Sequence, residues 1–240
     1  MFEAIQRVVV RPFVERWLAT SSQSWKALSV PTGPLTVRAP GPDPDRILLI
    51  GSGIAMGYGM KTHELALGGG LARQLSTLTG RGTRVDINTH ENMTTDYLLD
   101  HVDARRLREV DAIVLTPGGF EALLLYPAAA WRREIDRGFR ELARRSPAST
   151  RVFIVGLPPV TTLVSLPPLM GLLARFTSHQ LNEQLHQACE ANPIATFIPF
   201  APTEPVGTTG TGRTYERWSA IIAPPIAAFL GTQPQRVPKD

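Results

Sequence analysis

The sequence predicts a three-layer α/β/α sandwich on a mainly parallel sheet of five strands. Three observations carry that reading. Five short runs rich in apolar residues, at 47–50, 83–88, 111–115, 151–155 and 195–200, are strand-length rather than helix-length. Between most of them lie longer stretches with apolar residues at helical spacing, and such alternation implies right-handed crossovers that put helices on both sheet faces. The first run, Ile47-Leu48-Leu49-Ile50, leads straight into Gly51-Ser52-Gly53. A tight glycine turn there lets backbone approach a ligand at the carboxyl edge of the sheet, where open α/β folds bind.

Taken in order, residues 2–19 read as a helix interrupted at Pro12. Phe2, Ile5, Val9, Phe13 and Trp17 recur at helical spacing, and Arg7, Arg11 and Arg16 supply the polar side. The stretch has neither the apolar core nor the cleavage site of a signal peptide. Its stripe is expected to dock on its own domain, on a second copy of the chain, or peripherally on a membrane surface. Residues 29–45 are rich in Pro and Gly and read as an extended lead-in without a packed element. The expected division is therefore 1–45 as helix and lead-in, 46–230 as the α/β domain, and 231–240 as a tail. Within the domain, helices are expected over 62–78, 96–107, 128–144, 176–191 and 215–230, the last bent near Pro224 and Pro225.

Composition narrows the function. The chain has 240 residues, 43% hydrophobic, enough for one substantial core. A formal charge of +4 without a Lys cluster or interleaved aromatics does not describe a nucleic-acid surface. The single Cys189 excludes an internal disulfide, and no run is long enough to span a bilayer. A cytoplasmic protein is expected, with peripheral membrane contact through the N-terminal helix as the alternative. A nucleotide loop is not expected: Gly57 falls one place too late for G-x-G-x-x-G, and Asp86 sits inside the second strand rather than at its end.

The ordered blocks of the chain resemble another family. The stretch 47–54 looks like a strand followed by Gly-Asp-Ser-Leu, with Ser52 in the Asp place and Gly53 in the Ser place. The stretch 113–121 looks like a strand followed by Gly-x-Asn-Asp, read here as Gly118-Gly119-Phe120-Glu121. Leu157-Pro158-Pro159-Val160 follows the fourth strand, Leu181-Asn182 sits on the next helix, and Tyr215 with Trp218 opens the last one. From about 46 to 230 the sequence therefore resembles the SGNH hydrolases, also called GDSL-type esterases and lipases. The resemblance implies a flavodoxin-like strand order 2-1-3-4-5 and ester hydrolysis by a serine nucleophile, with a histidine base, an orienting aspartate three residues before it, and an oxyanion hole.

This chain departs from that machinery. Gly53 stands at the nucleophile position, and Phe120 replaces an amide donor with a ring that cannot donate. The segment before Tyr215 lacks Asp-x-x-His, and no histidine follows His186. The expectation is a degenerate cleft that binds a small acyl-containing ligand or a protein, formed by Ser52, Gly53, Tyr58, Gly118, Gly119, Phe120 and Glu121. The alternative is a relocated serine esterase, lipase or acyltransferase using Ser52 with His63 or His90. A zinc site from His63, His90, Glu91 and Glu121 lacks H-E-x-x-H spacing, so neither metal nor cofactor is expected. His179, His186 and Cys189 read as ordinary helix residues.

Overall fold

Alternation along the strands decides which way each side chain faces. In the computed structural model, which describes residues 11–22, 24, 28–90, 94–160, 166–201 and 212–233, the elements run in this order. Helix α1 (Arg11–Thr20) precedes β1 (Thr36–Ala39), β2 (Asp45–Gly51), a 3-10 turn (Gly53–Met56), α2 (Leu67–Thr79) and β3 (Thr83–Thr89). Next come the short helices α3 (Thr95–Asp100) and α4 (Ala104–Leu107), β4 (Ala112–Thr116), α5 (Gly119–Leu123) and α6 (Ala128–Arg145). The chain continues through β5 (Arg151–Val155), α7 (Pro168–Glu190), β6 (Ala195–Ile198) and α8 (Gly212–Gly231).

The sheet order is β1-β3-β2-β4-β5-β6. The five parallel strands thus follow 2-1-3-4-5, as the resemblance implies. Strands β2, β4 and β5 are buried on both faces, and their side chains divide by parity. Leu48, Ile50, Ile113, Leu115, Val152 and Ile154 enter one core. Ile47, Leu49, Ala112, Val114, Phe153 and Val155 enter the other. The first core holds Val14 and Leu18 of α1 and the buried faces of α6 and α7; the second holds those of α2 and α8. Period-two alternation with both faces apolar is what a central parallel strand requires.

Three expectations are corrected. The sheet has six strands, not five: β1, inside the expected lead-in, pairs antiparallel with β3 and buries Val37 and Ala39. Thr36 Oγ1 donates to Asp86 Oδ1 at 2.6 Å, which fastens this edge. The helix expected over 96–107 is two helices, because Asp103 caps a new start by accepting from the Arg105 amide at 2.8 Å. In α1 it is Val14 and Leu18 that are buried, while Phe13 is 58% exposed. The upstream stripe residues Phe2, Ile5 and Val9 lie outside the described residues. Helix α8 continues through Pro224 and Pro225. No helix among the described residues is long and apolar enough to cross a membrane.

Candidate active-site cleft

Strand β2 is flanked by β3 on one side and β4 on the other, so the chain order reverses between β2 and β4. Their carboxyl ends meet at Gly51 and Thr116, which are register partners. A side chain at Gly51 is excluded: its Cβ would lie 1.9 Å from Thr116 Oγ1. The contact continues one residue on, where the Ser52 amide donates to the Thr116 carbonyl at 3.4 Å and Thr116 Oγ1 donates to the Ser52 carbonyl at 3.3 Å. Gly53 then turns the chain at φ 57°, a left-handed conformation that favours glycine.

A cleft opens at this switch point. Ser52, Gly53, Ile54, Thr116, Pro117 and Gly119 form one side, and Val155, Gly156, Leu157, Pro158 and Val160 form the other. Its free volume among the described residues is about 20 Å³, room for roughly one water. The second wall is pinned from α7. Asn182 Oδ1 accepts from the Leu157 amide at 2.7 Å, and Asn182 Nδ2 donates to the Leu157 carbonyl at 2.9 Å. A larger cleft of about 530 Å³, lined by Arg38, Arg46 and Arg84 among others, lies at the opposite edge, beside the amino ends of β2 and β3.

The structure brings Ser52, Gly53 and Gly119 to the switch-point cleft and places the other candidates elsewhere. Gly118 lies beneath the Leu157 side chain. Phe120, 6% exposed, packs into the core that also holds Tyr58 and Leu157. Tyr58 is buried, and its carbonyl accepts from the Tyr215 hydroxyl at 3.1 Å. Glu121 is fully buried on α5, where one carboxylate oxygen accepts from the Thr95 amide at 2.6 Å. Burial pushes its pKa up to about 7, against the pull of that amide.

No imidazole meets the Ser52 hydroxyl among the described residues. His63 is buried in the turn before α2; Nδ1 has no partner among the described residues, and burial pushes its pKa below the usual histidine value. His90 is exposed at the end of β3, with its ring centroid 6.4 Å from that of Tyr97. Glu91 and the segment 206–209 lie outside the described residues. His179 is exposed on α7, and His186 sits edge-on to Phe197. Burial pushes the Cys189 thiol up to about 12, which leaves it protonated at neutral pH. Among the described residues, no three His, Cys, Asp or Glu side chains gather as a metal site. Thr116 and Gly156 were not legible as cleft residues, because only the sheet order brings Thr116 beside Ser52 and Gly156 to the facing wall. The Leu157-Pro158-Pro159-Val160 block and the Leu181-Asn182 pair were the sequence signals for the wall that Asn182 holds.

No protein-family model matches the chain, and no curated protein matches it. Solved structures do. TesA is 15% identical with a TM-score of 0.60, the match covering 77% of this chain and 99% of TesA. The psychrotrophic esterase EstA from Pseudoalteromonas sp. is 10% identical with a TM-score of 0.58, covering 78% of this chain and 100% of that one. A family two carbohydrate esterase from Clostridium thermocellum is 14% identical with a TM-score of 0.57, covering 80% of this chain; the match spans only 66% of the esterase. The corresponding share of the Cellvibrio japonicus family two carbohydrate esterase is 63%. Sheet order, switch-point cleft and these likenesses agree: the chain has the fold of the SGNH esterases and lipases.

Proposed function

We propose that this chain binds a ligand or a protein segment at the switch-point cleft of an SGNH-type fold without hydrolysing it. The observation that carries the reading is the Ser52 hydroxyl, which lines the cleft without a hydrogen bond to His63 or His90 among the described residues. A serine hydroxyl with no base keeps its proton and is a weak nucleophile. Two further features point the same way. Gly53, at the position of the expected nucleophile, has no side chain. Phe120, at the position of the expected amide donor, turns its ring into the core. Loss of one oxyanion donor alone typically lowers turnover roughly a hundredfold to a thousandfold. The lining is mainly backbone and apolar side chain, and its free volume of about 20 Å³ admits the tip of a small acyl-containing ligand or of an apolar peptide side chain, with the rest held outside it.

A fluorophosphonate probe tests this directly. The expected outcome is no labelling of Ser52, and no hydrolysis of short or medium acyl p-nitrophenyl esters above that of Ser52→Ala. Stoichiometric labelling of Ser52, abolished in Ser52→Ala and weakened by His63→Ala or His90→Ala, would establish the relocated esterase instead.

A further inference from the structure

Strand register sets three arginines side by side. Arg84 on β3 pairs with Arg38 on β1 across the antiparallel ladder, and with Arg46 on β2 across the parallel one. Residues paired directly across strands project from the same face of the sheet. Their sequence neighbours Val37, Val85 and Ile47 all lie in the core with α2 and α8, so the three arginines project from the opposite face. Adjacent strands lie about 4.8 Å apart, and the row therefore runs roughly 10 Å across the sheet. Like charges set directly opposite one another destabilise a sheet. Three of them in one row break a local rule, and such breaks concentrate at functional sites.

The row floors a trough. Arg46 and Arg84 line two adjoining hollows. One is the cleft of about 530 Å³ at the amino edge, which Arg38 also lines and which Ala39, Pro40 and Pro44 help to wall. The other, of about 170 Å³, is bounded by Arg105 and Arg106 of α4 and by Glu109. Arg106 Nη1 donates to the Ile87 carbonyl at 3.3 Å, which holds α4 against β3. The Ser52 cleft lies at the other end of the sheet, on its carboxyl edge.

Carboxylates do not neutralise the trough. Five arginines line the two hollows against two acids, Asp86 and Glu109, a formal excess of three positive charges. Arg84 donates to Asp86 at 3.0 Å, and Asp86 also accepts from Thr36. Arg46 reaches Glu109 only at 3.5 Å, with both side chains well exposed, and exposed pairs contribute little. Asp111 is turned to the backbone, where it accepts from the Arg46 amide at 2.8 Å. Arg38 and Arg105 are exposed, and their guanidiniums have no ion pair among the described residues. No lysine or histidine lines either hollow, so every cation is a planar fork that matches the paired oxygens of phosphate or carboxylate. A carboxylate brings one charge, whereas a phosphate ester brings roughly 1.5 to 2 at neutral pH. Two joined phosphates therefore meet the excess and reach more than one guanidinium of the row. The walls of Ala39, Pro40 and Pro44 leave room for an organic part beside them.

We infer that this trough binds a small ligand bearing two joined phosphate groups, held by Arg38, Arg84 and Arg46. The site is separate from the switch-point cleft and does not depend on what that cleft binds. Titration calorimetry of the full chain tests it, with pyrophosphate, orthophosphate and citrate as the probes. Pyrophosphate should bind at a single site and at least about tenfold more tightly than orthophosphate, because its second phosphate reaches guanidiniums that the first cannot. Citrate, whose carboxylates diverge from one carbon, should bind more weakly than pyrophosphate. Arg38→Glu should lower the pyrophosphate affinity at least about tenfold by turning an attraction into a repulsion. Its site is exposed, so its urea midpoint should match that of the parent chain. Arg46→Gln, which removes a charge without reversing one, should lower the affinity at least about threefold. Arg133→Glu makes the same change in net charge as Arg38→Glu, on an exposed position near the start of α6. Helix α6 leaves the carboxyl edge, so that variant should differ from the parent by less than about twofold. Absence of saturable pyrophosphate binding, or binding no tighter than that of orthophosphate, overturns the inference. So does citrate binding as tight as that of pyrophosphate, which would make the occupant a polycarboxylate. Undiminished binding by folded Arg38→Glu and Arg46→Gln proteins, or equal weakening by Arg38→Glu and Arg133→Glu, overturns it as well.

Discussion

Glu121 carries a carboxyl group to a position with no solvent exposure, and its second oxygen has no hydrogen-bond partner among the described residues. Its pKa of about 7 in the fold lies above the ordinary value, so the protonated form is the one that folding favours. Below pH 4.5 both folded and unfolded chains hold the proton, and Glu121 imposes no ionisation cost. As pH rises to about 7 and beyond, the unfolded chain ionises first, and stability falls by about 3 kcal/mol for a shift of this size. Glu121→Gln removes the ionisation and keeps an oxygen for the Thr95 amide. Urea unfolding at pH 4.5 and pH 8 should therefore show the variant gaining on the parent chain by about 3 kcal/mol between the two. A difference independent of pH would mean that Glu121 is not buried in its ionised form. Sequence reading placed this residue among those that form the cleft. Its depth was not legible, because it depends on Thr95, at the start of α3 and 26 residues away in sequence, being brought against it.

At the scale of elements, the cleft wall depends on one side chain reaching across from a helix. Asn182 satisfies both backbone groups of Leu157, which is itself buried. Asn182→Ala would leave a buried amide and carbonyl without partners. At about 1 kcal/mol per lost hydrogen bond, plus desolvation, the cost should be about 2–3 kcal/mol. Chemical denaturation measures it, and amide exchange at Leu157 should quicken in the same variant. A loss under about 0.5 kcal/mol would show that the loop holds its position without the clamp. The strand runs around this wall were legible because parallel strands buried on both faces are continuous apolar stretches. Strand β1 was not legible. Its four residues sit among prolines, and what makes them a strand is β3, some fifty residues away at the pairing of Thr36 with Asp86. The start of α7 was not legible either. The helix was expected only from Phe176, and the structure starts it at Pro168.

For the molecule as a whole, the two cores share one sheet and almost nothing else. Every central strand feeds both: Leu48 and Ile50 face one side, Ile47 and Leu49 the other. Neither face can lose its packing without exposing strand residues that the other face needs in register. A chain of this length can populate partly folded states, so joint unfolding of the two layers is a consequence of this sheet rather than a default. The tryptophans report on it. Trp131 is fully buried in the core with α6 and α7, and Trp218 is 3% exposed in the core with α2 and α8. A variant with Trp17, Trp25 and Trp131 replaced by Phe keeps only Trp218; one with Trp17, Trp25 and Trp218 replaced keeps only Trp131. In each, the fluorescence transition should fall within about 2 °C of that variant's own far-ultraviolet circular dichroism transition, as coincident probes of one cooperative step do. If the Trp218 signal melted well before the dichroism while Trp131 tracked it, the layer of α2 and α8 would be coming away from a sheet that survives. The alternating strands would then not be coupling the two faces.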